Sequence, residues 1–239
     1  KTACTALDRM THRGAVGADP LDGDGAGLMI QMPDAYYREI CDFDLPKPGE
    51  YSAGIVFLPQ DEACREACIA TLDRELTRVG CRLLGWREIQ TDSSTIGRNA
   101  RSVEPRVMQI FVGLGEVEAH RFELMLYLAR KRAERLVIER FGEQAEDFYL
   151  SSMSGQTLVY KGMFLAPQLF AYYPDLSDSR VVSALALVHQ RYSTNTFPTW
   201  DLAHPFRFLC QLTGSLNLFI EAFDGNIHAG INFLCGFCI

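Results

Sequence analysis

No lysine or arginine follows Arg207, although this chain of 239 residues holds 23 of them. The final stretch, Cys210 to Ile239, is apolar and contains glycine, with two acids, Glu221 and Asp224. Long surface segments are rarely so poor in charge, so this stretch reads either as a buried strand pair or as sequence foreign to the rest. Also missing is any run of eighteen apolar residues, which excludes a membrane-spanning helix. Basic character is lacking too. A net charge of −7 and a pI near 5.3 leave no footprint for nucleic acid, which needs clustered Lys and Arg on a basic domain. The densest basic stretch, Arg130 to Arg132 with Arg135, alternates with Glu134 and Glu139 at helical spacing and reads as a solvated helix face. The chain opens on Lys1 with no signal peptide and no initiator Met, which points to a longer parent. Internal repeats are absent.

With 48% hydrophobic residues the chain can bury a sizeable core, in one large domain or two small ones. Its eight cysteines do not form a disulfide framework. Cys64 and Cys68 lie four apart on an expected helix, and Cys4, Cys41, Cys81 and Cys210 stand among apolar neighbours. These read as reduced, mostly buried thiols of a cytoplasmic protein. Cys235-Gly-Phe-Cys238 is a lone pair with no second pair and no His cluster, so no metal site is expected.

Hydrophobic periodicity predicts the elements. Lys1 to Met10 reads as the last turns of a helix and Thr11 to Gly27 as a loop rich in Gly and Asp. Strands are expected over 28–32, 51–58, 81–89 and 106–112, with short ones over 148–150 and 157–160 around the turn at Ser154-Gly155. Helices are expected over 34–40, 61–79, 116–141 and 163–173. In the second of these, Cys64, Cys68, Leu72 and Leu76 form a stripe, with Gly80 as its cap. Asp92 to Glu104 reads as loop. The pure apolar run Ala184 to Val188 reads as a buried strand. Elements come in blocks without regular βαβ alternation, so the expected fold class is α+β.

That last strand delivers His189-Gln-Arg-Tyr-Ser-Thr-Asn-Thr-Phe-Pro-Thr-Trp200. An arginine, two hydroxyls and an amide thus stand where a loop begins. An Arg fork can hold a carboxylate through two parallel hydrogen bonds, and Ser or Thr can fix the remaining polar groups of an α-amino acid. Earlier in the chain stand Thr11-His12-Arg13-Gly14 and Asp22-Gly23-Asp24-Gly25-Ala26-Gly27. The glycines have the spacing G-x-G-x-G and precede a strand, which excludes a dinucleotide fingerprint. Pro20 and Gln31 at the outer ligand positions exclude a calcium-binding loop. Alone, the glycine-rich piece reads as a tight turn into a sheet. His189 and His204 read as locally satisfied side chains, and Phe197 and Trp200 as packing residues.

Taken in this order, the His-Arg-Gly loop, the Gly-Asp-Gly-Ala-Gly turn and the motif from His189 to Pro205 resemble the glutamine amidotransferase domain of the glutamate synthase large subunit. His12 to Pro33 resembles the bacterial, NADPH-type form. The resemblance covers residues 1–209 and leaves 210–239 an unassigned, atypical tail. It implies an N-terminal-nucleophile fold, an incomplete four-layer α/β/β/α sandwich. It also implies an activity, hydrolysis of glutamine to glutamate and ammonia for reductive transfer to 2-oxoglutarate. In that chemistry an N-terminal Cys thiolate attacks the side-chain amide, with its own α-amine as proton shuttle. By the same resemblance Arg191 holds the glutamine α-carboxylate, Thr194 contacts the substrate, and Ser193 and Asn195 shape the loop. Arg13 and His12 belong to the turn that supports the nucleophile. No cofactor is expected in this segment; FMN and an iron–sulfur cluster belong to the full-length enzyme. The implied partners are glutamine, the rest of the large subunit and a small NADPH-oxidising subunit.

Two departures bear on activity. The family's mature chain opens Cys-Gly-x-Gly-Phe several tens of residues before the His-Arg-Gly loop, whereas eleven residues precede His12 here. Cys4 falls in a helix and reads as a buried helix cysteine, so no catalytic residue is assigned. After Pro205 the family continues His-Asn-Gly-Glu-Ile-Asn, which supplies oxyanion donors. Cys210-Gln-Leu-Thr-Gly-Ser-Leu-Asn217 stands instead. The isolated chain is therefore expected to be inactive. Two other readings stay open: a non-catalytic module binding glutamine or glutamate, and a different class II amidotransferase.

Overall fold

The computed structural model describes residues 2–14, 16–17, 19–192 and 197–205. Helix α1 (Thr2–Arg9) leads through a single 3-10 turn, Thr11–Arg13, to strand β1 (Ala26–Gln31). Then follow α2 (Asp34–Ile40), β2 (Tyr51–Leu58), α3 (Glu62–Arg78), β3 (Arg82–Glu88), α4 (Arg98–Ser102) and β4 (Arg106–Gly113). The remaining elements are α5 (Phe122–Phe141), β5 (Tyr149–Ser154), β6 (Thr157–Gly162), α6 (Leu169–Tyr172) and β7 (Ala186–Gln190). All pairings are antiparallel. They make a four-stranded sheet, β3-β4-β2-β5, and a three-stranded sheet, β6-β1-β7.

The layers follow from alternation along the strands. Val56 and Leu58 of β2, with Ile110 and Val112 of β4, face α3 and α5. The stripe Cys64, Cys68, Leu72 and Leu76 is buried there, as its spacing predicts. Asp61 caps the start of α3 by accepting from the Cys64 N–H (2.8 Å). At its end Gly80, with φ +86°, allows the Cys81 N–H to reach the Leu76 carbonyl (3.0 Å). The opposite faces of β2 and β4, with Ile55, Phe57, Val107 and Phe111, pack toward α2, α6 and the three-stranded sheet. Helix α1 lies against β7 on the far side. The order α3/α5, sheet, sheet, α1 gives the α+β sandwich. The free edge of β6 is closed by side chains of β5. Ser151 Oγ donates to the Val159 carbonyl (2.8 Å), and Ser152 Oγ accepts from the Val159 N–H (3.1 Å). No helix among the described residues is long and apolar enough to cross a membrane.

The structure corrects several expectations. Asp92 to Glu104 is not all loop; it holds a 3-10 turn and α4. The first amides of α4 are capped by residues far away in sequence: Asp19 Oδ2 accepts from Arg98 N (3.2 Å), and Asp22 Oδ1 from Asn99 N (3.2 Å) and Ala100 N (3.4 Å). A cap contributed from the other end of the domain leaves no local signature. The long helix begins at Phe122 rather than Glu116, and 163–173 forms two short turns, Ala166–Gln168 and Leu169–Tyr172. Arg130 is buried rather than solvated, because it falls on the same helical stripe as Leu126, Ala133 and Val137. Its guanidinium covers the Tyr127 ring at 5.3 Å. Ala186 to Val188 is half-buried at a sheet edge, not fully buried. Cys4 is half-buried and lines an apolar cavity of about 390 Å³ between α1 and the faces of Leu28 and Val188. Among the described residues the cysteines at 4, 41, 64, 68 and 81 are free. The tail from residue 206 lies outside the described residues.

Candidate functional site

The glycines at 23, 25 and 27 alternate, so they share one face of the chain as it enters β1. Each lets another backbone come close. A Cβ on Gly23 would stand 2.7 Å from the Phe164 carbonyl carbon, one on Gly25 2.9 Å from Ala203 Cβ, and one on Gly27 2.3 Å from the His204 oxygen. Gly25 also has φ +131°, which L side chains rarely adopt. The turn therefore does more than deliver a strand. It forms a notch in which residues 203–205 lie.

The notch has two walls. In the register of the three-stranded sheet, Gly27 pairs with Lys161 of β6 on one side and His189 of β7 on the other. Lys161 is only 1% exposed. Its Nζ donates to the Asp201 carbonyl (2.7 Å) and the Tyr149 hydroxyl (3.1 Å) and lies 4.5 Å from the centre of the Tyr149 ring. The His189 ring stacks on His204, with centroids 4.5 Å apart and planes 24° from parallel. Trp200 anchors the start of this segment. Its Nε1 donates to the Ala100 carbonyl (3.1 Å), and its ring meets Phe57 at 5.8 Å and Tyr172 at 5.5 Å.

Arg191 follows His189 by two residues and continues its face. Its backbone N–H donates to the Gly25 carbonyl (2.7 Å), which fixes the residue just past the end of β7. Its side chain is buried. Burial lowers the guanidinium pKa, while the carboxylates of Asp24 and Asp201 act in the opposite direction. Burial first, then Arg191, pushes His189 down to about 4. Burial, then His189, Lys161 and Arg191, pushes His204 down to about 2. At neutral pH both imidazoles are therefore uncharged, and Lys161 and Arg191 are the cations of this face. A partly desolvated guanidinium with its backbone pinned is suited to two-pronged recognition of a carboxylate.

The other candidate residues are placed as follows. The backbone of His12 and Arg13 forms the 3-10 turn after α1. His12 is exposed and its Nδ1 bonds the Arg9 carbonyl (2.9 Å), closing the end of that helix. Gly14 leans on Gln190, since a Cβ there would be 2.3 Å from Gln190 Nε2. The turn thus reaches the Arg191 strand through Gln190, whose Oε1 accepts from Ala166 N (2.6 Å). Ser193, Thr194 and Asn195, and the side chain of Arg13, lie outside the described residues. Phe197, expected to pack, is 92% exposed, whereas Trp200 is buried as expected. Sequence reasoning gave no role to Lys161, Gln190 or Asp201. Of these only Lys161 left a trace, as a charge inside the strand-like run Thr157 to Gly162. Asp22 and Asp24 carry no role in the sequence alone; the structure makes Asp22 the cap of α4, and the Asp24 carboxylate acts on the Arg191 guanidinium. Among the described residues no group of three His, Cys, Asp or Glu could hold a metal ion.

The family model described as glutamine amidotransferases class-II matches residues 1–227. The chain is 42% identical over 217 residues to the glutamate synthase [NADPH] large chain of Azospirillum brasilense, covering 89% of this chain and 14% of that one. It is 41% identical over 220 residues to the corresponding large chain of Bacillus subtilis (strain 168), covering 91% and 14%. It is also 41% identical over 224 residues to the glutamate synthase [NADH] of Schizosaccharomyces pombe, covering 88% and 10%. The chain thus spans 14% or less of the length of these relatives.

Proposed function

The chain belongs to the class-II glutamine amidotransferases, and on that premise we propose that the Arg191 end of β7 is the carboxylate-binding side of a glutaminase site within a glutamate synthase large subunit. One observation carries this reading: a buried guanidinium, pinned through its own N–H to Gly25, stands beside two neutral imidazoles and the carboxylates of Asp24 and Asp201. In this reading Arg191 holds the glutamine α-carboxylate. Ser193, Thr194 and Asn195 satisfy the remaining polar groups of the substrate, and Arg13 and His12 support the nucleophile's loop. A cysteine thiolate attacks the side-chain amide, ammonia leaves, and water resolves the thioester to glutamate. The cytoplasmic parent enzyme joins this domain to the rest of the large subunit and to a small NADPH-oxidising subunit. FMN and iron–sulfur chemistry belong to those parts, and no residue of this chain is assigned to them. The amidotransferase domain is taken to span 1–209, with 210–239 as a tail of its own.

The chain by itself binds without hydrolysing. Burial pushes the thiols of Cys41 and Cys81 up to about 11 and that of Cys68 up to about 12, the opposite of an activated nucleophile. Cys4 lines the α1 cavity, on the sheet face away from Arg191. Titration calorimetry with glutamine tests the reading. The wild-type chain binds, and Arg191→Ala weakens binding by about ten-fold or more, as expected for a lost charged hydrogen-bond pair. Equal affinity in both proteins refutes the assignment of Arg191. Ammonia release from glutamine by the purified chain refutes the claim that it does not hydrolyse.

A further inference from the structure

The strongest feature the proposed reaction leaves unused is the row Lys161–Gly27–His189, whose lysine is buried and whose histidine is half-buried. A lysine 1% exposed is costly to desolvate, and here its ammonium is directed at a backbone carbonyl and a phenol. The segment it grips is not an ordinary loop, because Asp201, whose carbonyl takes the Lys161 proton donor, also presents a carboxylate that acts on the Arg191 guanidinium. Gly27 admits the His204 oxygen and the Pro205 ring between the two walls. On the other wall the His189 ring stacks on His204, only two residues before Arg191. The 201–205 segment is therefore held at both ends of one row, and the residue that follows the row is the arginine.

We propose that Lys161 is a positioning residue: with Gly27 and His189 it seats residues 201–205 on the sheet, and through Asp201 it fixes the Arg191 guanidinium for an amino-acid α-carboxylate. The proposal rests on the reading of Arg191 given above. Lys161 touches no substrate in this account. It sets where Asp201 stands, and the carboxylates of Asp201 and Asp24 supply negative charge that acts on the guanidinium. Methionine at 161 would fill the space without the donor, and arginine would keep a donor and its charge.

The test pairs glutamine calorimetry with amide hydrogen exchange on the full chain. In Lys161→Met, glutamine affinity falls about ten-fold and exchange at Ala203 and His204 quickens about ten-fold, while the amides of β2 and β4 keep their wild-type rates. Lys161→Arg recovers most of both effects, a rescue that general destabilisation would not produce. His204→Gln, which removes the stack and keeps the backbone, gives the same pair of changes and serves if Lys161→Met does not fold. Unchanged exchange and affinity in these variants overturns the seat. Quickened exchange with unchanged affinity overturns the positioning role. If the wild-type chain binds no glutamine, the Arg191 reading and the positioning role fall together, while the exchange rates still decide whether Lys161 seats the segment.

Discussion

The two sheets differ in what they bury. The four-stranded sheet is mostly apolar on its helix side: Val56, Leu58, Ile110 and Val112 meet Leu72, Leu76 and Leu126, and the charges buried there, Glu75 and Arg130, belong to the helices. The three-stranded sheet buries Lys161 and Arg191 along one face with the half-buried His189, together with a glycine notch that another segment enters. Apolar burial stabilises by about 1.5–3 kcal/mol per large side chain. Buried cations and neutral histidines instead cost desolvation unless their partners are placed well. One half of the molecule is arranged for stability, and the other gives up stability for the position of a few polar groups.

The sharpest separation of the two halves comes from the helix side of the four-stranded sheet. Leu126→Ala should lower stability by about 2–5 kcal/mol in urea denaturation, yet leave the glutamine affinity of the folded fraction unchanged. A comparable loss of affinity would show that the halves are not separable. A smaller effect is expected where the polar half is tied down. Asp22→Ala should cost about 1–3 kcal/mol, because Asn99 N, Asn99 Nδ2 and Ala100 N lose their acceptor. Asp22→Asn should recover part of it, and a neutral Asp22→Ala would remove the cap from the account.

The same contrast explains what could be read in the sequence. The stripe of α3, its cap residue Gly80 and the run of β2 are local patterns, and they fold as their spacing predicts. Arg191 stands out as a candidate because a long motif surrounds it. The glycines at 23, 25 and 27 were legible as a turn, but not as a notch, because what enters it comes from residues 164–165 and 203–205. Lys161 and Asp201 acquire meaning only from each other, 40 residues apart. The cap of α4 by Asp22 is 77 residues away. Long-range polar pairing carries no periodicity, so the chemistry of the three-stranded sheet was mostly hidden while the packing of the other sheet was plain. Ser193, Thr194 and Asn195 lie outside the described residues and add nothing to either side of this comparison.

Acid should act on the polar half. His189 and His204 have pKa values in the folded chain of about 4 and about 2, below the ordinary value of about 6.5. Below pH 6.5 the unfolded chain therefore binds protons that the folded chain refuses. Their contribution is fully present above that pH and is lost as pH falls toward 4 and beyond. Between pH 6.5 and 5.5 the two together should remove about 1–2 kcal/mol. His204→Gln should flatten this dependence, and an equally steep slope in that variant would show that other groups cause it. The smallest effect belongs to the exposed end of the motif. Phe197→Ser should change stability by less than about 0.5 kcal/mol, whereas the buried Trp200 three residues later would not tolerate such a change. A large loss at Phe197 would mean that it packs after all.

The central claim, that an amino acid carboxylate binds at the Arg191 end of β7, is tested most directly by mapping glutamine-induced amide shifts in the labelled chain by NMR. The account predicts shifts at Gly25, Ala26, His189, Arg191 and Ala203, all abolished by Arg191→Ala. Shifts gathered instead around Thr2, Cys4 and Ile30, at the apolar cavity beneath α1, or shifts that survive Arg191→Ala, would contradict it.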